Sequence, residues 1–227
     1  MSGMSMAGYF AGGGSGVLDF DAEAQKLFKR LNIDPSTRSN SLYAALDPIW
    51  RHPTGGGTIY VGNQTAAESL SMLASMGIRR VVNCTHGAGA IPNYHAGTLA
   101  YYTFPISQWS MHVKRDSSAS VLAFSDPMFK FIEDAISRGE NVLVHCLAGA
   151  HRAGTTGCAC LVHFAKMNVP DAIRTAKTCR RIIDPIGQLP EFLARLFTAE
   201  SERDASRATA VATTDAETVP GLSAAVP

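Results

Sequence analysis

The run from Asn141 to Thr156 constrains this chain more than any other. Asn141-Val142-Leu143-Val144 is too short for a helix and apolar at both alternating positions, the pattern of a strand buried on both faces of a parallel sheet. It leads into His145-Cys146-Leu147-Ala148-Gly149-Ala150-His151-Arg152-Ala153-Gly154-Thr155-Thr156, a loop of small residues that passes into a helical stretch over 153–166. A strand that hands over to a helix in this way gathers backbone N–H groups and the positive helix end at one point beyond its carboxyl edge. Such a point binds an anion. Arg152, at the helix start, has the planar fork that grips two oxygens of a phosphate. Cys146, at the mouth of the loop, has surroundings that favour a thiolate nucleophile. A cysteine after a buried strand is ordinarily a small core residue. That plainer reading leaves Gly149, Arg152 and Gly154 at matching offsets without an explanation.

The flanking sequence alternates between strand and helix patterns. Thr58-Ile59-Tyr60-Val61, Arg80-Val81-Val82-Asn83 and Ala100-Tyr101-Tyr102-Thr103-Phe104 read as strands. Residues 66–76 have helical spacing and end at Gly77, and Ser125 is placed to cap a helix with Pro127 in its first turn. Helical stretches over 153–166, 170–180 (capped by Asn168) and 189–200 follow. The expected fold is α/β, with a central, mainly parallel sheet flanked by helices. The expected organisation is a flexible tail over 1–18, one folded domain over 19–201 and a disordered tail over 202–227.

Composition narrows the partners. The 227 residues are 46% hydrophobic and 17% charged, with a formal net charge of +1. That supports a sizeable core and gives no global attraction to nucleic acid or an anionic membrane, so neither is expected as a partner. No run of about 18 apolar residues is present, and nothing resembles a signal peptide. The five cysteines (Cys84, Cys146, Cys158, Cys160 and Cys179) are an odd number without metal-knuckle spacing. Free thiols in a reducing cytoplasm or nucleus, no metal and a monomer are the expectation.

His145-Cys146-x-x-Gly149-x-x-Arg152 resembles the C-x5-R signature of the cysteine-dependent protein phosphatases, and about residues 55–200 resemble their dual-specificity branch. Ile59-Tyr60-Val61-Gly62-Asn63, Val81-Val82-Asn83, Phe104-Pro105-Ile106-Ser107 with Trp109-Ser110, and Phe192-Leu193-Ala194-Arg195-Leu196 carry the likeness outside the loop. The resemblance implies the cysteine-phosphatase fold. It also implies hydrolysis of phosphotyrosine and phosphoserine/threonine in phosphorylated proteins, MAP kinase-like ones among them, without a cofactor. Cys146 would form the phosphocysteine intermediate, and Arg152 would hold the phosphoryl oxygens together with the amides of Leu147, Ala148, Gly149, Ala150, His151 and Arg152. His145 would support the thiolate.

Two positions depart from that family. Its acid-bearing Pro-Ile-Ser-Asp-His-Trp-Ser becomes Pro105-Ile106-Ser107-Gln108-Trp109-Ser110, inside a stretch from Val81 to Val113 that has no Asp, Glu, Lys or Arg. The first carboxylate afterwards, Asp116, lies 30 residues before Cys146 and is the candidate replacement acid. Ala153 stands where many relatives have a Ser or Thr that helps expel the thiolate, which implies slow turnover. Cys84 ends a strand as Cys146 does, so it is a candidate resolving thiol. Arg180-Arg181 and Gln188 read as solvated surface groups. Two other readings remain open: a phosphoinositide or other non-protein phosphate monoesterase, and a module that captures phosphoproteins with little turnover.

Overall fold

The computed structural model describes residues 18–34 and 43–217, with side chains to residue 210. Expectations for 1–17 and 218–227 lie outside the described residues. The first element is helix α1 (Phe20–Leu31), started by the Asp19 carboxylate, which accepts from the amides of Asp21 and Ala22. Five strands follow, interleaved with helices: β1 (Leu46–Arg51), β2 (Thr58–Gly62), β3 (Ile78–Asn83), β4 (Ala100–Thr103) and β5 (Asn141–His145). They form one sheet in the order β1-β2-β5-β3-β4. β2, β5, β3 and β4 run parallel, and β1 pairs antiparallel with β2. Pro48 is tolerated in β1 because an edge strand needs hydrogen bonds on one side only.

β5 is central, as its apolar run requires, and alternation sorts its side chains between two cores. Val142 and Val144 join Val82 and Ile59 on one face, while Leu143 joins Val81, Ile78 and Leu73 on the other. The second face is covered by two short helices, α2 (Gln64–Glu68) and α3 (Leu70–Ser75). The helix expected over 66–76 is interrupted at Ser69, whose hydroxyl caps α3 by accepting from the Met72 amide at 3.4 Å. The first face is covered by α5 (Ser118–Ile136), α6 (Arg152–Phe164), α7 (Val169–Cys179) and α8 (Leu189–Glu217), while α4 (Trp109–His112) is a single turn.

Three expectations are corrected here. α5 begins at Ser118, capped by the Ser117 hydroxyl, and not at Ser125. Pro127 therefore lies inside the helix, where its lost backbone bond falls on the surface hollow that Ala123 and Pro127 line. Ser125 instead donates to the Val121 carbonyl within the helix at 2.8 Å. The tail expected over 202–227 is helical as far as Glu217, because the stretch after Glu191 contains no Gly or Pro until Pro220 and Arg203 ties it to the body. Cys158, Cys160 and Cys179 read alike as core residues in the sequence, but only Cys158 and Cys160 are buried, and Cys179 is exposed.

Candidate active site

Residues 146–151 close the gap between the end of β5 and the start of α6. Gly149 makes the turn possible: its φ is +67°, and a Cβ there would sit 2.5 Å from the Gly62 carbonyl oxygen. Gly157 lets α6 lie against the sheet, since a Cβ would come within 2.7 Å of the Val61 side chain.

Four successive carbonyls of the loop are held from outside. The Leu147 oxygen accepts from the Gln64 amide at 3.1 Å, and the Ala150 oxygen from the Asp184 amide at 3.0 Å. The Ala148 oxygen accepts from the Tyr43 hydroxyl at 3.2 Å and from Arg180 Nη2 at 3.0 Å. The Gly149 oxygen accepts from Arg180 Nε at 3.0 Å. In a trans peptide the N–H points opposite to the preceding carbonyl. Fixing the carbonyls of 147–150 outward therefore turns the amides of 148–151 inward. The Gly149 amide does reach Cys146 Sγ, at 3.3 Å. The loop is thus a nest of inward-turned backbone donors, one of which reaches the sulfur.

Arg180 is the main external anchor, and the reading of it as solvated charge is corrected. Its side chain is 1% exposed, stacks 5.1 Å from the Tyr43 ring centroid, and pairs through Nη1 with Asp47 at 2.6 Å and the Ala44 carbonyl at 2.8 Å. Tyr43 is in turn positioned by Asn63, whose amide donates to its hydroxyl at 2.6 Å. Sequence reading missed Tyr43, Asp47 and Arg180. Arg180 continues the buried stripe of Ala172 and Ala176 at four-residue spacing, and that signal would have placed it inward.

Arg152 is buried at the first turn of α6, and its Nη2 meets the Asp21 carboxylate of α1. Its backbone oxygen accepts from Thr156 Oγ1 at 3.0 Å, and Thr156 Oγ1 in turn accepts from Cys84 Sγ at 3.4 Å. Burial pushes the Cys84 thiol far above its ordinary range. His145 is buried and its pKa falls to about 4, chiefly through burial and further through the Arg152 charge, against the opposing pull of the Cys146 backbone. It is a neutral imidazole at physiological pH. His151 turns its Nδ1 to the Asp184 carbonyl, 2.7 Å away.

The acid position tells a different story. Gln108 ends a 3-10 turn (Ile106–Gln108) that leads into α4. Gln188, expected to be solvated, pins this lobe. Its amide donates to the Ser107 carbonyl at 2.7 Å, its side-chain oxygen accepts from Ser110 at 2.9 Å, and its backbone oxygen accepts from the Trp109 indole at 3.1 Å. Asp116 lies in a surface hollow of about 240 Å³, with Arg115, Ala194, Arg195 and Thr198 among its walls. No residue of the 146–152 loop is among those that line that hollow. Asp126 is paired with Arg203 at 2.8 Å.

A strand end, an amide nest, a buried cysteine and a buried arginine thus meet at the carboxyl edge of the sheet. Residues 59–201 match the family model "Dual specificity phosphatase, catalytic domain", and the chain belongs to the dual-specificity phosphatase family. It is 33% identical over 141 residues to human dual specificity protein phosphatase 9, covering 59% of this chain and 34% of that one. To protein phosphatase Slingshot of Drosophila melanogaster it is 26% identical, covering 72% of this chain and 15% of that one. The chain thus spans about a third or less of these relatives. The solved structure of human DUSP28 shares the fold, with a TM-score of 0.53 at 21% identity, covering 73% of this chain and 99% of that one.

Proposed function

We propose that this chain hydrolyses phosphate monoesters on protein tyrosine and serine/threonine side chains through a cysteinyl-phosphate. The observation that carries this reading is the set of four outward-held carbonyls, which turns the loop amides toward Cys146. Cys146 Sγ attacks phosphorus, the ester P–O bond breaks, and the leaving oxygen takes a proton. Water then attacks the phosphocysteine, releasing inorganic phosphate and the thiolate. Arg152 and the inward amides balance the charge on the transferring group, so the reading needs no metal. Ala153 offers no hydroxyl to the departing sulfur, so the second step is the slower one. Phosphorylated proteins of the MAP kinase type fit the family as substrates, in the cytoplasm or nucleus.

With an aryl phosphate, wild type should show a burst near one equivalent followed by slow turnover, and Cys146→Ser should show neither. Equal rates for the two would leave a binding module. The same assay with good and poor leaving groups addresses the acid. With Asp116 as the proton donor, Asp116→Asn should slow the poor leaving group much more than the good one, and equal slowing of both would overturn that role.

A further inference from the structure

The fork of Arg152 is already half engaged by the protein itself. Nη2 meets the Asp21 carboxylate, while Nε has no partner among the described residues. Nε and Nη2 form the adjacent pair with which a guanidinium grips two oxygens of one phosphoryl group. The carboxylate therefore stands on a prong that the substrate needs. α1 is firmly seated: Ala24, Leu27 and Phe28 share one buried cluster with Ala148, Ala150 and Ile182 of the loop side. Phe20 places its ring centroid 5.8 Å from the Arg152 guanidinium. The Asp21 side chain is 47% exposed and that of Arg152 is 9% exposed, so the carboxylate can turn out to solvent where the guanidinium cannot follow.

Building on the cradle as the phosphate site, we propose that Asp21 is a specificity-determining residue. It competes with the substrate phosphate for Arg152 and, once displaced, selects substrates that carry Lys or Arg beside the phosphorylated residue. The other anions of that turn are committed. Asp19 caps α1 with two bonds of 3.0 Å, which hold its carboxyl below its ordinary range, and Glu23 pairs with Lys26 at 2.7 Å. Displaced Asp21 is then an uncompensated negative charge beside a phosphate dianion. A cation on the substrate restores the balance, and an acidic neighbour adds repulsion.

The test uses the intact chain and its Asp21→Asn, Asp21→Ser and Glu23→Gln variants. Each is titrated with tungstate, a tetrahedral dianion of phosphate shape. In a Cys146→Ser background, binding is also measured for two phosphotyrosine peptides that differ only in Arg or Glu next to the phosphotyrosine. Both Asp21 variants should bind tungstate about fivefold tighter than wild type, with Glu23→Gln unchanged. The Arg peptide should be preferred about tenfold, and Asp21→Asn should shrink that preference to about twofold. Weaker or unchanged tungstate binding in the Asp21 variants, an equal gain in Glu23→Gln, or an undiminished peptide preference would overturn the proposal. Loss of the hydrolytic reading shows separately, as absent aryl phosphate turnover with this affinity order intact. No tungstate binding by any of the proteins would remove both.

Discussion

Half of the loop carbonyls that face away from Cys146 are held by one side chain, Arg180. Its worth can be read from what its removal strands. Arg180→Met leaves Asp47 without its cation and the Ala148 and Gly149 oxygens short of donors, so unfolding stability should fall by about 3 kcal/mol in urea titrations. Arg180→Lys retains the charge without the fork, and should lower tungstate affinity about tenfold while the thermal midpoint moves less. Tungstate affinity at the wild-type level in Arg180→Lys would show that the amides are oriented without it. Cys84 poses a second question at this scale. β3 and β5 are paired Asn83 to His145, so Cys84 and Cys146 follow on neighbouring strands about 4.8 Å apart, within disulfide range. We expect hydrogen peroxide to oxidise Cys146 to a sulfenic acid, which the Cys84 thiol then attacks with loss of water. Brief peroxide treatment followed by dithiothreitol should restore wild-type activity and leave Cys84→Ala largely inactive. Equal recovery in the two would exclude Cys84 as resolver.

Among the elements, α8 is joined to α5 and α6 by a charged cluster. Glu200 is 2.5 Å from both His163 Nδ1 and Arg203 Nη2, and Arg203 Nη1 reaches both oxygens of Asp126 at 2.8 and 3.0 Å. The His163 ring stacks on Phe129 at 4.0 Å. Burial alone would raise the Glu200 pKa, but the hydrogen bonds and charges of His163 and Arg203 outweigh it and pull the value from 4.5 to about 2. Because the folded state lowers this pKa, the unfolded chain takes up the proton first as the pH falls. The stabilisation is complete above about pH 4.5 and is lost toward about pH 2. The stability difference between wild type and Glu200→Gln should therefore narrow by about 2 kcal/mol between pH 6 and pH 2.5, as measured by urea unfolding. A constant difference would mean that the cluster leaves Glu200 unperturbed.

These elements also show what a sequence can and cannot disclose. β5, the loop after it and Arg152 were legible because local chemistry, apolar alternation followed by small residues and one cation, has few other uses. α7 was legible from the Asn168 cap, whose side chain does accept from the Asp171 amide at 3.0 Å. The start of α5 was not, because Ser117 and Ser125 are equally good caps in isolation and Pro127 favours the later one. The length of α8 was hidden for a related reason. An Ala- and Thr-rich segment is compatible with helix or coil, and the pairing of Arg203 with Asp126, 77 residues away, decides between them. Gln188 and Arg180 needed tertiary partners to acquire meaning. Asp21 sits in a first helical turn, where acidic residues are common for reasons unrelated to a distant arginine.

For the whole molecule, the decisive point is that the site is completed from outside the span that matches the family. Residues 59–201 contain Cys146, Arg152 and Arg180, but not Asp21, Tyr43, Asp47 or Arg203. Cutting there removes β1 from the edge of β2 and takes away Asp47, leaving a buried guanidinium unpaired at a cost of about 3 kcal/mol. It also uncovers the apolar surface now covered by Phe20, Leu27 and Phe28, each worth about 2 kcal/mol when buried. At the other end, loss of Arg203 leaves Asp126 without its cation and Glu200 without one of its basic partners. Native domains are stable by only about 5–15 kcal/mol, so these losses together are enough to abolish cooperative folding. A fragment of residues 59–201 should show no sharp thermal transition and no tungstate binding. A fragment of residues 18–210 should match the intact chain in both. A 59–201 fragment that melted cooperatively and bound tungstate as the full chain does would show that the family span alone builds the cradle.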